Sequence, residues 1–129
     1  MENKNIQKLF GHKLQGSKFM KRMVIKTLSL FPEDIIIFIT SKVWFVSSFE
    51  DGWAFTLRGD ELKRNEFLIF LSDELLKEDE DQIIWTIAHE IGHVILGHRN
   101  NIGLPQAKYE IAKQEREADE FAKKLTLKF

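Results

Sequence analysis

The sequence predicts an α+β fold, a small, twisted, mostly antiparallel β-sheet packed on a backing helix, a histidine-bearing helix and a C-terminal helix. Apolar residues recur at helical spacing in three stretches, Ser17 to Phe31, the run between Glu78 and Gly97, and Gln106 to Leu127. Between the first two lie short segments rich in Ile, Val, Phe and Trp, punctuated by turn residues, as strands are. A chain of 129 residues is long enough for one hydrophobic core, so residues 1–129 are expected to form a single domain.

The first 31 residues are basic, with seven Lys/Arg against Glu2 alone. Phe19, Met20, Met23, Val24 and Leu28 recur at helical spacing after Gly16-Ser17 and before Pro32, which predicts the backing helix over Ser17 to Phe31. Its methionines read as core, and its cations as a solvated face opposite the acidic 60–81 region rather than a nucleic-acid surface. His12 is assigned no role. From Asp34 the period changes. Ile35 to Thr40, Val43 to Ser47, Trp53 to Leu57 and Glu66 to Leu71 read as strands, with Glu50-Asp51-Gly52 as the hairpin turn between the second and third. Trp44 and Trp53 read as strand core rather than as platforms for bases.

Ser72-Asp73-Glu74 suits a short helical turn, and Glu78-Asp79-Glu80-Asp81 places negative charge where the dipole of the next helix favours it. That helix, ending near Gly97, contains Ala88-His89-Glu90-Ile91-Gly92-His93-Val94. At 100° per residue His89 and His93 lie one turn apart on nearly one face, so both imidazoles can reach one metal ion, with Glu90 beside them. Ile84, Ile87, Ala88, Ile91 and Ile95 fall within about 60° of the opposite direction. One face therefore packs on a core and the other floors a cleft. A buried helix whose histidines merely satisfy hydrogen bonds is the plainer reading. The H-E-x-x-H spacing favours zinc, with one open position for a water whose pKa it lowers to about 7 and a carboxylate at hand to take the proton.

The third ligand is expected from the last helix. Its apolar stripe runs Ile111, Ala118, Ala122 and Leu125 with Phe121 at the flank, and Glu115 and Asp119 lie on that stripe, within about 40° and 80° of Ile111. Glu117 and Glu120 point elsewhere, as solvated charges do. A carboxylate aimed at a core needs a partner. Glu115 completes a His/His/Glu set, and Asp119, one turn on, accepts the outer ring N–H of a ligand histidine. The alternative is an ordinary charged face in which Glu115 pairs with Lys108 or Lys113. His98 is poorly placed as a ligand and reads as a helix-end cap. Tyr109 is a candidate donor near the cleft that spacing does not demand.

His89-Glu90-x-x-His93 followed by Glu115-x-x-x-Asp119 resembles the pattern of the gluzincins, zinc peptidases with a glutamate third ligand. The run Glu115-Arg116-Glu117-Ala118-Asp119-Glu120-Phe121-Ala122 is most similar to the ImmA/IrrE-type metallopeptidases and to the single-domain minigluzincins. The resemblance covers residues 83 to 125 closely. It implies one catalytic Zn²⁺ on His89, His93 and Glu115, Glu90 as general base and then acid, and Asp119 as the residue behind a ligand. It also implies that the strand before the histidine helix forms the cleft rim. A separate substrate-binding half and its oxyanion-stabilising histidine are absent, so the cleft is expected to be shallow. A metzincin is excluded, since Leu96 and Arg99 stand where that pattern needs Gly and His.

The expected function is thus a zinc metalloendopeptidase acting on a peptide or protein. The short, partly apolar Thr126-Leu127-Lys128-Phe129 tail suggests self-blocking by a terminal segment or self-association, in line with the latency of minimal gluzincins. Two alternatives stand beside this, a regulatory ImmA/IrrE-like protein acting on a repressor and a zinc-holding peptide-binding module without turnover. A net charge of −1 with 30% charged residues implies no global pull toward nucleic acid or membrane. The longest apolar run, Ile35 to Ile39, is too short to span a bilayer, and no signal-peptide core is seen at the N-terminus. The absence of cysteine rules out disulfides and thiolate-held zinc and agrees with a cytoplasmic location.

Overall fold

The computed structural model describes residues 2–48, 54–57, 66–97 and 108–126. The described elements are helix α1 (Asn3–Phe10), a 3₁₀ turn (Gly11–Lys13), β1 (Leu14–Gln15), α2 (Lys18–Leu28), α3 (Glu33–Lys42), β2 (Val43–Ser48), β3 (Ala54–Leu57), β4 (Phe67–Ser72), α4 (Asp73–Leu76), α5 (Glu80–Ile95) and α6 (Lys108–Thr126). The α+β class holds, and the described residues are mostly helical.

The backing helix is α2. Ser17 caps it, its Oγ accepting from the Met20 N–H at 3.1 Å, and Met20, Met23, Val24 and Leu28 are buried. Lys26 on its outer side pairs with Glu80 in the first turn of α5, which ties the basic N-terminal region to the acidic start of that helix. The preceding α1 and β1 were not legible in the sequence. Leu14 and Gln15 form too short a strand to show a period, and α1 contributes only Ile6 and Phe10 to the core.

The Ile35–Thr40 stretch, expected as a strand, is the middle of helix α3. Its run of five apolar residues hides the helical period, because Ile36, Ile39 and Thr40 are buried while Ile37 and Phe38 are exposed. The decisive signals lie at its start. Pro32 occupies the N-cap, and Glu33 and Asp34 fill the first turn, where the dipole favours them. The buried Thr40 hydroxyl donates to the Ile36 carbonyl at 2.8 Å, a bond available only in a helix.

The other strands form where expected, but their pairing differs. The order is β1-β2-β4-β3, with β1 to β2 and β2 to β4 parallel and only β3 to β4 antiparallel. The sheet is therefore mostly parallel, not mostly antiparallel, and β2 and β3 are not a hairpin because β4 lies between them. A composition-based reading places neighbours in sequence side by side; here β4 stands between β2 and β3, with Ile69 and Leu71, two apart on one face, fully buried. β4, the strand that precedes the histidine helix, is therefore interior to the sheet. The sheet edge beside α5 is β3.

The core lies between sheet and helices, with Phe45 of β2 meeting Phe10 of α1 edge to face at 5.7 Å. Trp44 is half-buried, its indole N–H donating to the buried Glu66 carboxylate at 2.8 Å, and His12 packs edge-on against it at 5.1 Å. These bonds make Trp44 a structural residue. The Glu50-Asp51-Gly52 turn, Trp53, His98, the 100–105 loop and residues 127–129 lie outside the described residues. Among the described residues no helix is long and apolar enough to cross a membrane.

Candidate metal centre

Helix α5 is anchored at both ends. Asp79 caps it, its carboxylate accepting from the Gln82 N–H at 2.8 Å, and Gly97, at φ 70°, turns the chain away after Ile95. Between these ends Ile83, Ile87, Ala88 and Ile91 are fully buried, as the apolar face required, so the helix has no freedom to rotate its histidines away. Ile84 and Val94 are also buried, and Ile95 packs on the core's margin.

Helix α6 lies along α5. Ala118 and Ala122 are fully buried, and Phe121 packs against Phe31 with ring centroids 5.8 Å apart. The contact is close because of Gly92, whose position between the two histidines has no side chain. A Cβ there would meet Phe121 Cδ1 at 2.9 Å. The stripe drawn from the sequence is thus confirmed at Ala118 and Ala122 and fails at Ile111, which is exposed.

This packing brings Glu115 to both histidines. Glu115 Oε2 lies 3.0 Å from His89 Nε2, Oε1 lies 3.1 Å from His93 Nε2, and the two Nε2 atoms are 3.1 Å apart. Among the described residues Glu115 pairs with the two histidines and not with Lys113; the side chain of Lys108 lies outside them. Asp119 Oδ1 stands 2.8 Å from His89 Nδ1, close in distance though the ring N–H is not aligned on it. The imidazoles are nearly buried, whereas the Glu115 and Asp119 side chains are 54% and 53% exposed. The expectation that both carboxylates face the core is therefore corrected. They sit on the rim of α6 and reach inward with their oxygens, which leaves the centre open to solvent on one side. Glu90, next in the chain to His89, is buried at 8% exposure.

The arrangement fits a metal ion. His89, His93 and Glu115 each offer one ligand atom, all within 4.8 Å of one another. Zinc held at its usual 2.0–2.1 Å by tetrahedral ligands puts neighbouring donor atoms about 3.3 Å apart, near the spacings found. The protonation chemistry points the same way. If His89 directs its Nδ1 proton toward Asp119, its Nε2 faces both a carboxylate and a second imidazole with only lone pairs, and a cation relieves that clash. Two imidazoles and one carboxylate are the donor set of an open, catalytic zinc site rather than of a closed structural one.

Trp85 was not singled out by sequence reasoning. It lies one turn before His89 on α5, and its ring stacks on the imidazole with centroids 5.2 Å apart and planes at 27°. The His89 ring is so held by Trp85 on one side and by His93, edge-on at 4.7 Å, on another. The signal was present as an aromatic residue at i−4 from a ligand histidine. Of Tyr109 the structure describes only the backbone, within α6.

Neither the curated proteins nor the solved structures contain a match to the chain. Residues 81–129, the stretch that holds His89, Glu90, His93, Glu115 and Asp119, match the model of the family Peptidase U49. That similarity supports a peptidase.

Proposed function

We propose that the protein is a zinc-dependent metalloendopeptidase of the gluzincin type. The observation that carries this reading is the Glu115 carboxylate, which meets His89 Nε2 and His93 Nε2 at 3.0 and 3.1 Å from a different helix. His89, His93 and Glu115 hold the ion, which when bound supplies a Lewis acid for the scissile carbonyl and makes a water acidic enough to lose its proton near neutral pH.

The chain's own groups do the rest. Glu90 accepts the proton of the attacking water and delivers it to the leaving amide nitrogen. Its buried setting suits a group that must hold one proton between two steps. Asp119 holds the Nδ1 proton of His89, which keeps that ring's other nitrogen free as a ligand. Trp85 fixes the plane of the same ring. Among the described residues no strand pairs with the outer edge of β3 beside α5, and an extended peptide adds there as a strand, a mode of binding that reads backbone before side chains. That edge takes the rim role expected of the strand before the histidine helix.

The experiment is incubation of the zinc-loaded protein with a mixed peptide pool, with Glu90→Gln alongside and the products read by mass spectrometry. The expected result is cleavage by the parent protein and a loss of about 10²–10⁴-fold in the variant, with zinc retained by both. Equal products from both proteins would assign the cleavage to another residue, and binding of peptides with no cleavage by either would replace the peptidase by a peptide-binding module.

A further inference from the structure

A second concave surface shares no residue with the metal centre. It is a cleft of about 510 Å³ between α1 and α2, lined by Asn3, Lys4, Gln7, Lys18, Lys21, Arg22 and Ile25. No carboxylate lines it, although Asp and Glu together outnumber Lys and Arg in the chain by 20 to 19. Lys18, Lys21, Arg22 and Ile25 follow the i, i+3, i+4, i+7 spacing of one helix face, and Asn3 and Gln7 stand one turn apart on the facing helix. The lining thus combines four cations, two amides and one buried isoleucine as its floor.

The charges are placed against local electrostatics. Lys18 is the first residue of α2, Lys21 and Arg22 follow within its first two turns, and no acidic residue stands in the first turn. A helix start carries the positive end of the macrodipole, so cations there repel both the dipole and one another. Among the described residues Lys26 and Lys77 have carboxylate partners, while Lys4, Lys18, Lys21 and Arg22 are in no ion pair. Arg22 instead stacks over the Phe19 ring, 5.2 Å from its centroid, which restrains the guanidinium without neutralising it. A sequence that breaks a local rule with no compensating ion pair among the described residues points to a compensating contact outside the fold.

We propose that this cleft binds a small polyphosphate, either free or as part of a nucleotide. Clustered phosphates bring several negative charges into a small volume, and lysine and arginine N–H groups with amide donors are the groups that recognise them. The cleft volume falls within the roughly 300–1,000 Å³ of small-molecule sites. A concavity between two short helices, open to solvent on its outer side, suits such a ligand better than the extended, flat basic surface that a nucleic-acid backbone or a vesicle requires.

The test is fluorescence anisotropy of trinitrophenyl-ATP with the full zinc-loaded chain at about 0.15 M salt, the probe kept well below the protein so that it strips no metal. Magnesium-saturated tripolyphosphate, magnesium-ATP, adenosine and polyglutamate are the competitors. The expected result is saturable binding that tripolyphosphate and ATP both displace, weakened roughly ten-fold or more by Lys21→Glu and by Arg22→Glu and unchanged by Lys77→Glu. Milder losses from Lys21→Gln and Arg22→Gln, with unaltered circular dichroism melts, separate charge from misfolding. Displacement by ATP but not by tripolyphosphate assigns the ligand as a nucleotide, within the proposal. Displacement by adenosine, equal displacement by polyglutamate, equal weakening by Lys77→Glu, or no binding with the protein titrated into the high micromolar range would each overturn it.

Discussion

Gly92 of α5 lies beneath the ring of Phe121 on α6, so closely that a Cβ built on Gly92 would stand 2.9 Å from Phe121 Cδ1. The glycine between His89 and His93 thereby sets the distance between the helix that carries them and the helix that carries Glu115.

Gly92→Ala tests that relationship, because two effects oppose each other there. Alanine in mid-helix is favoured over glycine by about 0.8–1.0 kcal/mol. Overpacking a closed contact costs about 1–3 kcal/mol, and the neighbour is a ring lodged against Phe31, not the free end of a flexible chain. The net expectation is a loss of up to about 2 kcal/mol in urea unfolding of the metal-free protein. Zinc affinity should fall as well, since α6 must move and Glu115 with it. The pair Gly92→Ala with Phe121→Leu should recover part of both losses; a stabilised single variant would show that the two helices are not held at that contact.

The residues of the site were legible because their chemistry is tied to a period. His89 and His93 are four apart on a helix, and Glu115 and Asp119 repeat that interval on α6, so two helices side by side match four groups in register. What the period could not give was the relation between elements. Trp85 stacks on His89 and Gly92 admits Phe121, and neither contact leaves a mark on one-dimensional spacing beyond residue type. The fold was legible in the same measure. Helices α2 and α5 show their caps and stripes and α6 its buried alanines, whereas α3 is apolar on its outer face too, at Ile37 and Phe38, and so loses the contrast that separates helix from strand. The parallel pairing of β2 with β4 is a property of the crossover between them, a relation that the residues of neither strand encode.

Glu115→Gln removes a charge from the ligand set while keeping its size. The zinc-loaded protein should lose affinity by about 100-fold or more, measured by competition with a chromogenic chelator, because an amide is a poor ligand beside two imidazoles. Asp119→Asn should cost less, about 10–100-fold, as expected for a group that acts through His89. If Asp119→Asn were the worse of the two, the carboxylates would have exchanged roles.

Metal removal should register in stability as well as in activity. An ion that binds only the folded chain stabilises it by about 4 kcal/mol at a free concentration of 1,000 times its Kd. An ion on His89, His93 and Glu115 would join α5 to α6, which otherwise meet through Phe121 against Gly92 and the buried Ala118 and Ala122. Chelation should lower the melting temperature of the parent protein and leave that of Glu115→Gln nearly unchanged. A chelator effect of equal size in both would place the ion elsewhere.

Trp85→Ala should weaken the site without dismantling it. Aromatic stacking contributes about 0.5–1.5 kcal/mol beyond area burial, which corresponds to a loss of roughly 2–12-fold in zinc affinity if all of it serves to hold His89 in place. The half-buried tryptophan also covers apolar surface, so stability will fall in parallel and by itself proves nothing about the metal. Trp85→Phe separates the two contributions. It keeps a ring to stack on His89, 5.2 Å away in the parent, and should restore most of the zinc affinity while recovering less of the stability. Equal recovery of both would make Trp85 a packing residue whose position beside the histidine has no part in holding it.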